Sequence, residues 1–242
     1  MNDRIDAVTF APHPDDAELG CSGTLLRLKQ TGKSIAIVDL TEGELSTRGT
    51  RKTRMEETNA SSKILGLDVR VNLQLPDGNL ANTMEHRLKI ISIIRQLRPH
   101  VVFLPYPRDR HPDHEHASGL LKDAVFYSGL EKIPTEFDGH AQTAHRPALS
   151  FYYMLSTDFV PAFVVDVSET FDKKLQAIRA YGTQFFSGDM DAAYPETYIS
   201  GAGYMEALIA RARRLGFSIG STYGEGFTPL QPLALPPEIF FT

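Results

Sequence analysis

The sequence predicts a Rossmann-like, doubly wound α/β fold: a mainly parallel sheet with helices on both faces, and an active site at the carboxyl ends of strands one and four. Three observations carry this. Apolar runs alternate with stretches of helical character as far as Pro107, joined by short connections. The runs themselves are short and apolar, as parallel strands covered on both faces are. Two of them, the first and the fourth, stop at proline and lead straight into clusters of histidine and aspartate.

Taken in order, "IDAVTFAP" (Ile5 to Pro12) is strand one, ended by proline. Asp16 or a neighbour caps a helix running from Ala17 to about Gln30 and closing at Gly32. "SIAIVDL" (Ser34 to Leu40) is strand two. A helix from about Thr53 to Leu65 ends at Gly66, and "VRVNL" (Val69 to Leu73) is strand three. "LPDG" (Leu75 to Gly78) is a turn. Leu88, Ile91, Ile94 and Leu97 fall at helical spacing within Thr83 to Leu97, and "HVVFLPYP" (His100 to Pro107) is strand four. Beyond it, Leu149–Leu155 and Ala162–Val167 read as strands, and Glu169–Tyr181 and Tyr204–Leu215 as helices. "YGEGFTPLQPLALPPEIFFT" is rich in proline and is expected to pack on the domain surface or on a neighbouring subunit. With no repeat or linker, residues 1–242 read as one domain, of which 217–242 form this C-terminal segment.

Composition narrows the function. At 242 residues, 42% hydrophobic and 23% charged, the chain suits a soluble protein with a sizeable core. A net charge of −5 argues against nucleic acid as partner. No run approaches the roughly 18 apolar residues of a membrane span, and "MNDRIDAVTF" is no signal peptide. A single cysteine, Cys21, excludes an intrachain disulfide and fits a cytoplasmic location. Sitting among small residues in a helix, it reads as a packing residue rather than a nucleophile. "STRGTRKTR" (Ser46 to Arg54) concentrates Arg48, Arg51, Lys52 and Arg54. It is either a solvated loop or a clamp for carboxylate or phosphate, to which arginine bonds in bidentate fashion.

The chemistry lies in two clusters, "HPDD" (His13 to Asp16) after strand one and "HPDH" (His111 to His114) after strand four. In a doubly wound sheet the first strand is central, and the strand past the reversal point lies beside it, so both clusters face one crevice. Two histidines and a carboxylate are a ligand set for catalytic zinc, with one position left for water. Imidazole nitrogen suits zinc or another first-row divalent ion better than calcium or magnesium. Asp15 and Asp16 are adjacent and point differently, so one can ligate while the other moves protons. His111 can stabilise an oxyanion or act as acid, oriented by Asp113. His116 would face away from His114 on a helix. Taken alone, Asp16 reads first as an N-cap.

These motifs, "HPDDAELGCSGTL" and "HPDH", resemble the signatures of the zinc-dependent N-acetylglucosaminyl deacetylases of the PIG-L or LmbE type. The resemblance implies His13, Asp16 and His114 as ligands of Zn2+ (or Fe2+ in vivo), Asp15 as general base, and His111 as the oxyanion or acid group with Asp113 beside it. "TEGELSTRGTRKTRMEE", "NLQLPDGN", "KLQAIRAYGTQF" and "YGEGF" are most similar to the bacillithiol-pathway branch. That branch removes acetate from N-acetylglucosaminyl malate, an amino-sugar conjugate and a small-molecule partner. The resemblance then implies Arg54 at the malate carboxylates, with Arg108 a further contact. Asp77 is either an acceptor for a sugar hydroxyl or a turn-forming aspartate. No oxyanion tyrosine can be assigned among Tyr194, Tyr198 and Tyr204. Family members often assemble, so a homo-oligomer is expected. Two rival readings stand beside this one: a broader amidase on chito-oligosaccharides or thiol S-conjugates, and a non-catalytic Rossmann-like binding module.

Overall fold

The structure, a computed structural model, describes residues 4–185 and 194–238. Its main sheet has seven strands in the order β3-β2-β1-β4-β7-β9-β8. β1 (Ala7–Ala11), β2 (Ile35–Asp39), β3 (Val69–Asn72), β4 (Val101–Pro105) and β7 (Leu149–Tyr153) run parallel. β9 (Gly224–Pro229) enters antiparallel between β7 and β8 (Phe163–Asp166). A separate two-stranded hairpin pairs β5 (Glu136–Phe137) with β6 (His140–Ala141).

The alternation of β1 side chains decides the layers. Ala7 and Ala11 face one core with α1 (Asp16–Gln30), α5 (Phe171–Arg179) and α6 (Ala202–Phe217), through Leu25, Ile178 and Leu208. Val8 and Phe10 face the other core with α3 (Met84–Leu97) and α4 (Pro112–Ser128), through Ile90, Ile94 and Leu121. On the first face α2 (Arg51–Leu65) packs against α1 and α5. β1 and β4 are neighbours in register Thr9↔Phe103, so the segments that follow both strands open into the same crevice.

Besides the β5–β6 hairpin, two regular elements depart from the sequence expectation. The proline-rich C-terminal segment contains β9, a strand inside the sheet whose first four residues are buried. The stretch after "HPDH" is the 17-residue helix α4, with Pro112 at its start and Ala117, Leu120, Leu121, Ala124 and Val125 on its buried face. Among the described residues, no helix is long and apolar enough to cross a membrane.

"GCSG" in α1 serves close packing. A Cβ on Gly20 would stand 2.6 Å from Cε2 of Tyr153, nearer still to Cδ2. Tyr153 is fully buried, and its hydroxyl donates to the Phe10 carbonyl at 2.8 Å, so the ring has nowhere to go. Gly20→Ala is therefore expected to destabilise the fold by about 1–3 kcal/mol, the cost of overpacking, as a lowered midpoint in chemical denaturation at unchanged slope. Cys21 is buried beside Thr9, its thiol pushed up by burial and by the Glu225 carboxylate, which agrees with a packing role.

Candidate metal centre and active-site cavity

β1 ends at Ala11, and the chain turns sharply before α1. Asp15 takes the N-cap with φ 123° and ψ −26°, a conformation that non-glycine residues rarely adopt and that marks sites where geometry overrides local preference. This twist turns Asp15 and Asp16 in different directions. Asp15 faces Arg54 of α2: its Oδ2 accepts from Nη1 at 3.0 Å. Asp16 faces the histidines.

Asp16 Oδ2 is the meeting point of the site. His13 Nδ1 lies 3.1 Å from it and His114 Nε2 3.3 Å, and the His13 backbone N–H donates to it at 2.9 Å. The other nitrogen of each ring is also held by carboxylate. His114 Nδ1 is 2.9 Å from Asp109 Oδ1, and His13 Nε2 is 3.2 Å from Asp77 Oδ1 and 3.4 Å from Asp113 Oδ2. A carboxylate on the far nitrogen fixes the tautomer and orientation of a metal-binding imidazole.

The two distances to Asp16 Oδ2 are of the size that donors around a divalent ion show. Donors bonded at about 2.0–2.1 Å around a tetrahedral centre stand about 3.3 Å apart, close to the two separations measured here. The electrostatics agree. Burial opposes charge on both rings, yet the surrounding carboxylates prevail, holding His13 well above the usual imidazole range and His114 at about 9. Burial also opposes ionisation of Asp16, and His114 and His13 hold it far below the usual carboxylate range regardless. A pocket that draws protons to these nitrogens draws a cation to them too. Ring nitrogens of His13, His111 and His114 lie within 4.8 Å of one another, as do donors of His13, Asp77 and Asp113.

His111 is the N-cap of α4, and its Nδ1 accepts the Asp113 backbone N–H at 3.2 Å. That leaves Nε2 as the N–H of the neutral ring. Burial, with His13 and His114 close by, lowers its proton affinity, so it is a neutral donor. Asp113 is the residue expected to orient His111, and the contact between them is a main-chain one. Asp113 reaches His111 through its main chain, while its carboxylate accepts from Gly78 N–H at 2.7 Å and faces His13. The reason is register: at the first turn of α4 the Asp113 side chain points across to the Leu75–Gly78 turn.

These groups line a cavity of about 400 Å³ walled by Leu45, Ser46, Leu155, Gln184, Tyr198 and Tyr204. His13, Asp15, Asp16, His111, His114, Arg54 and Asp77 all line it. Arg54 is bound on both sides, by Asp15 and the Pro14 carbonyl on Nη1 and by Ser46 Oγ on Nη2. Asp77 accepts from Leu45 N–H at 2.8 Å besides facing His13. Arg108 corrects an expectation: it is exposed and is not in the cavity wall, where Arg110 stands instead, its guanidinium 4.0 Å above the Tyr198 ring.

Asp109 is the site residue that sequence reasoning missed. Its Oδ1 meets His114 and the His111 N–H, and its Oδ2 accepts from Ser156 N–H and Thr157 N–H. The available signal was an acid close before a histidine pair, where an outer carboxylate belongs. Asp109→Asn is expected to weaken metal retention by about 10–100-fold, read by competition with a chelator of known affinity.

Comparison with known proteins then decides the family. The GlcNAc-PI de-N-acetylase model, PIG-L, matches residues 8–125, a span holding both clusters. Over 200 residues the chain is 32% identical to diacetylchitobiose deacetylase of Thermococcus kodakarensis, covering 76% of this chain and 72% of that one. The chain belongs to the PIG-L family. Its fold is shared at 41% identity and a TM-score of 0.85 with a conserved protein of Thermus thermophilus, over 96% of this chain and 98% of the other. A further relative, the probable N-acetyl-alpha-D-glucosaminyl L-malate deacetylase 2 of Bacillus anthracis, is 29% identical over 76% of this chain and 83% of its own. As a member of PIG-L the protein is a hydrolase of N-acetyl amides, and the motifs that resembled the family are the ones the sheet brings together.

Proposed function

We propose that the protein is a metal-dependent deacetylase removing acetate from an N-acetylglucosamine conjugate, with N-acetylglucosaminyl malate as substrate. The observation that supports it best is the convergence of His13 Nδ1 and His114 Nε2 on one oxygen of Asp16, with a carboxylate behind each ring.

His13, Asp16 and His114 would hold zinc or ferrous iron. Such an ion polarises the acyl oxygen and makes hydroxide available near neutral pH. Asp15 takes the proton from the attacking water and passes it to the departing amine. Burial makes its carboxylate more basic, while Arg54 restrains that effect and fixes one oxygen of this cavity-lining residue. His111 donates its Nε2–H to the developing oxyanion. The Arg54 guanidinium is occupied by Asp15, Pro14 and Ser46, so we assign it to holding the base. Arg110, exposed and lining the cavity, would meet a carboxylate on the aglycone. A second reading, diacetylchitobiose as substrate, is favoured by the 32% identical relative.

Acetate release separates these. Purified protein is assayed on N-acetylglucosaminyl malate, diacetylchitobiose and N-acetylglucosamine, before and after chelation, with zinc or ferrous iron restored. Release from the malate glycoside that vanishes on chelation and returns with metal is the expected outcome. Metal-dependent release from chitobiose alone would keep the mechanism and replace the substrate. Release that survives chelation would sink the metal mechanism.

A further inference from the structure

The arginine-rich stretch "STRGTRKTR" begins at Ser46, and its first residues are sewn to the turn that follows α5. Arg48, 2% exposed, donates from Nε to the Thr183 carbonyl at 2.6 Å. A Cβ on Gly49, which has φ 78°, would stand 2.8 Å from Thr183 Oγ1, so the two segments touch there. Glu57 of α2 fixes the turn, accepting from Thr183 N–H at 2.6 Å and from its hydroxyl at 2.9 Å. Gln184 comes next, buried and in the wall of the catalytic cavity. Its Nε2 donates to the Arg48 carbonyl at 2.8 Å, and its Oε1 accepts from the Ser46 hydroxyl at 2.9 Å.

A hydroxyl has one proton and two lone pairs. The other acceptor near Ser46, the Arg48 carbonyl, lies farther at 3.1 Å and already accepts from Gln184, so the proton goes to Gln184. The lone pairs are left for donors. They meet Arg54 Nη2 at 3.1 Å and the Arg48 N–H at 3.4 Å. Arg54 needs that contact. Its Nη1 is held by Asp15 at 3.0 Å and by the Pro14 carbonyl, while Nε has no partner among the described residues. Both Nη1 contacts sit at one end of the planar fork, so Nη2 is its second point of fixation.

We infer that Ser46 and Gln184 are positioning residues: Gln184 orients the Ser46 hydroxyl, and that hydroxyl sets the angle at which Arg54 holds Asp15. The effect on turnover rests on Asp15 being the base; the hold on Arg54 does not. A displaced base slows the chemical step without weakening the binding of substrate.

The test compares metal-loaded Ser46→Ala, Ser46→Thr, Gln184→Met and the double variant Ser46→Ala with Gln184→Met against the parent. Acetate release is measured on whichever substrate of the panel is turned over fastest. Ser46→Ala is expected to lower kcat about tenfold with KM and metal content unchanged, and Ser46→Thr, which keeps the hydroxyl, to recover most of it. Gln184→Met is expected to lower kcat alongside, and the double variant to fall no further than the worse single one, as members of one chain of contacts do. A raised KM at unchanged kcat would make Ser46 a contact for substrate and overturn the proposal. Losses that multiply in the double variant, or loss of metal, would overturn it too. Nitrogen-15 NMR of the arginine side chains reads the hold without turnover, the Arg54 signals being those missing in Arg54→Lys. Separate Nη–H signals from a guanidinium slow to rotate are expected in the parent and in Ser46→Thr, merging in Ser46→Ala and Gln184→Met. Signals unchanged in those two variants would overturn the hold on Arg54, whether or not any substrate is turned over. Merged signals with unaltered kcat would retain the hold and overturn its effect on Asp15.

Discussion

Asp15→Asn is expected to keep its metal and lose about 10²- to 10⁴-fold in kcat, the range a positioned general base supplies. The substitution is nearly isosteric, and the amide oxygen can still accept from Arg54 Nη1. Asparagine also enters positive φ more readily than most residues, so the N-cap at φ 123° is preserved. What disappears is the affinity for a proton. The ligand set proposed above uses the other aspartate, because the turn points Asp16 to His13 and His114 and Asp15 to Arg54. Metal content by elemental analysis and single-turnover acetate release separate the two roles. Loss of metal would show that the two aspartates share the ion; full activity would remove Asp15 as the base.

Glu225→Leu is expected to cost about 3–5 kcal/mol, the largest effect on stability, because it strands a buried ammonium. Glu225 lies on β9 and is 4% exposed. Its carboxylate accepts from Lys174 Nζ at 2.5 Å, from Gly23 N–H at 3.0 Å and Thr24 N–H at 2.7 Å, and from the Thr24 hydroxyl at 2.6 Å. Lys174 also donates to the Leu19 carbonyl. One side chain therefore ties together β9, α5 and the helix that begins with Asp16. A companion change, Glu225→Leu with Lys174→Met, removes the stranded charge and should recover much of the loss. A denaturation series on the single and double variants checks this, and equal stability of the two would refute a buried-charge cause.

The two clusters were legible because each sits at a strand end, where fold class alone dictates convergence. The β1–β4 pairing brought "HPDD" and "HPDH" together as the doubly wound pattern requires. The roles of the outer residues were less legible. Asp109, Asp77 and the Asp113 carboxylate act by which atom of which ring they face, and a single register step changes that. Arg54 read as a cation free for substrate, whereas the fold buries it against Asp15. β9 was hidden by composition: Gly224, Gly226 and Pro229 look like punctuation, yet the glycines let β9 pass close to α6 and to Pro161. The three tyrosines left unassigned in the aromatic-rich stretch after Gln184 are separated only by the fold: Tyr198 and Tyr204 line the cavity, whereas Tyr194 is not among its lining residues.

The placement of β9 also sets an order of events during synthesis. By the time α4 has left the ribosome, every residue of both clusters has been made, and β1 can already pair with β2 and β4. Once β7 and β8 have followed, the edges that β9 will fill stay open, and such edges invite pairing with other chains. Glu225, the brace on α1, does not yet exist. Translation thus delivers the chemistry first and its foundation last, and a ribosome stalled between these points would present a nascent chain that can meet its metal before it can steady the helix that presents it.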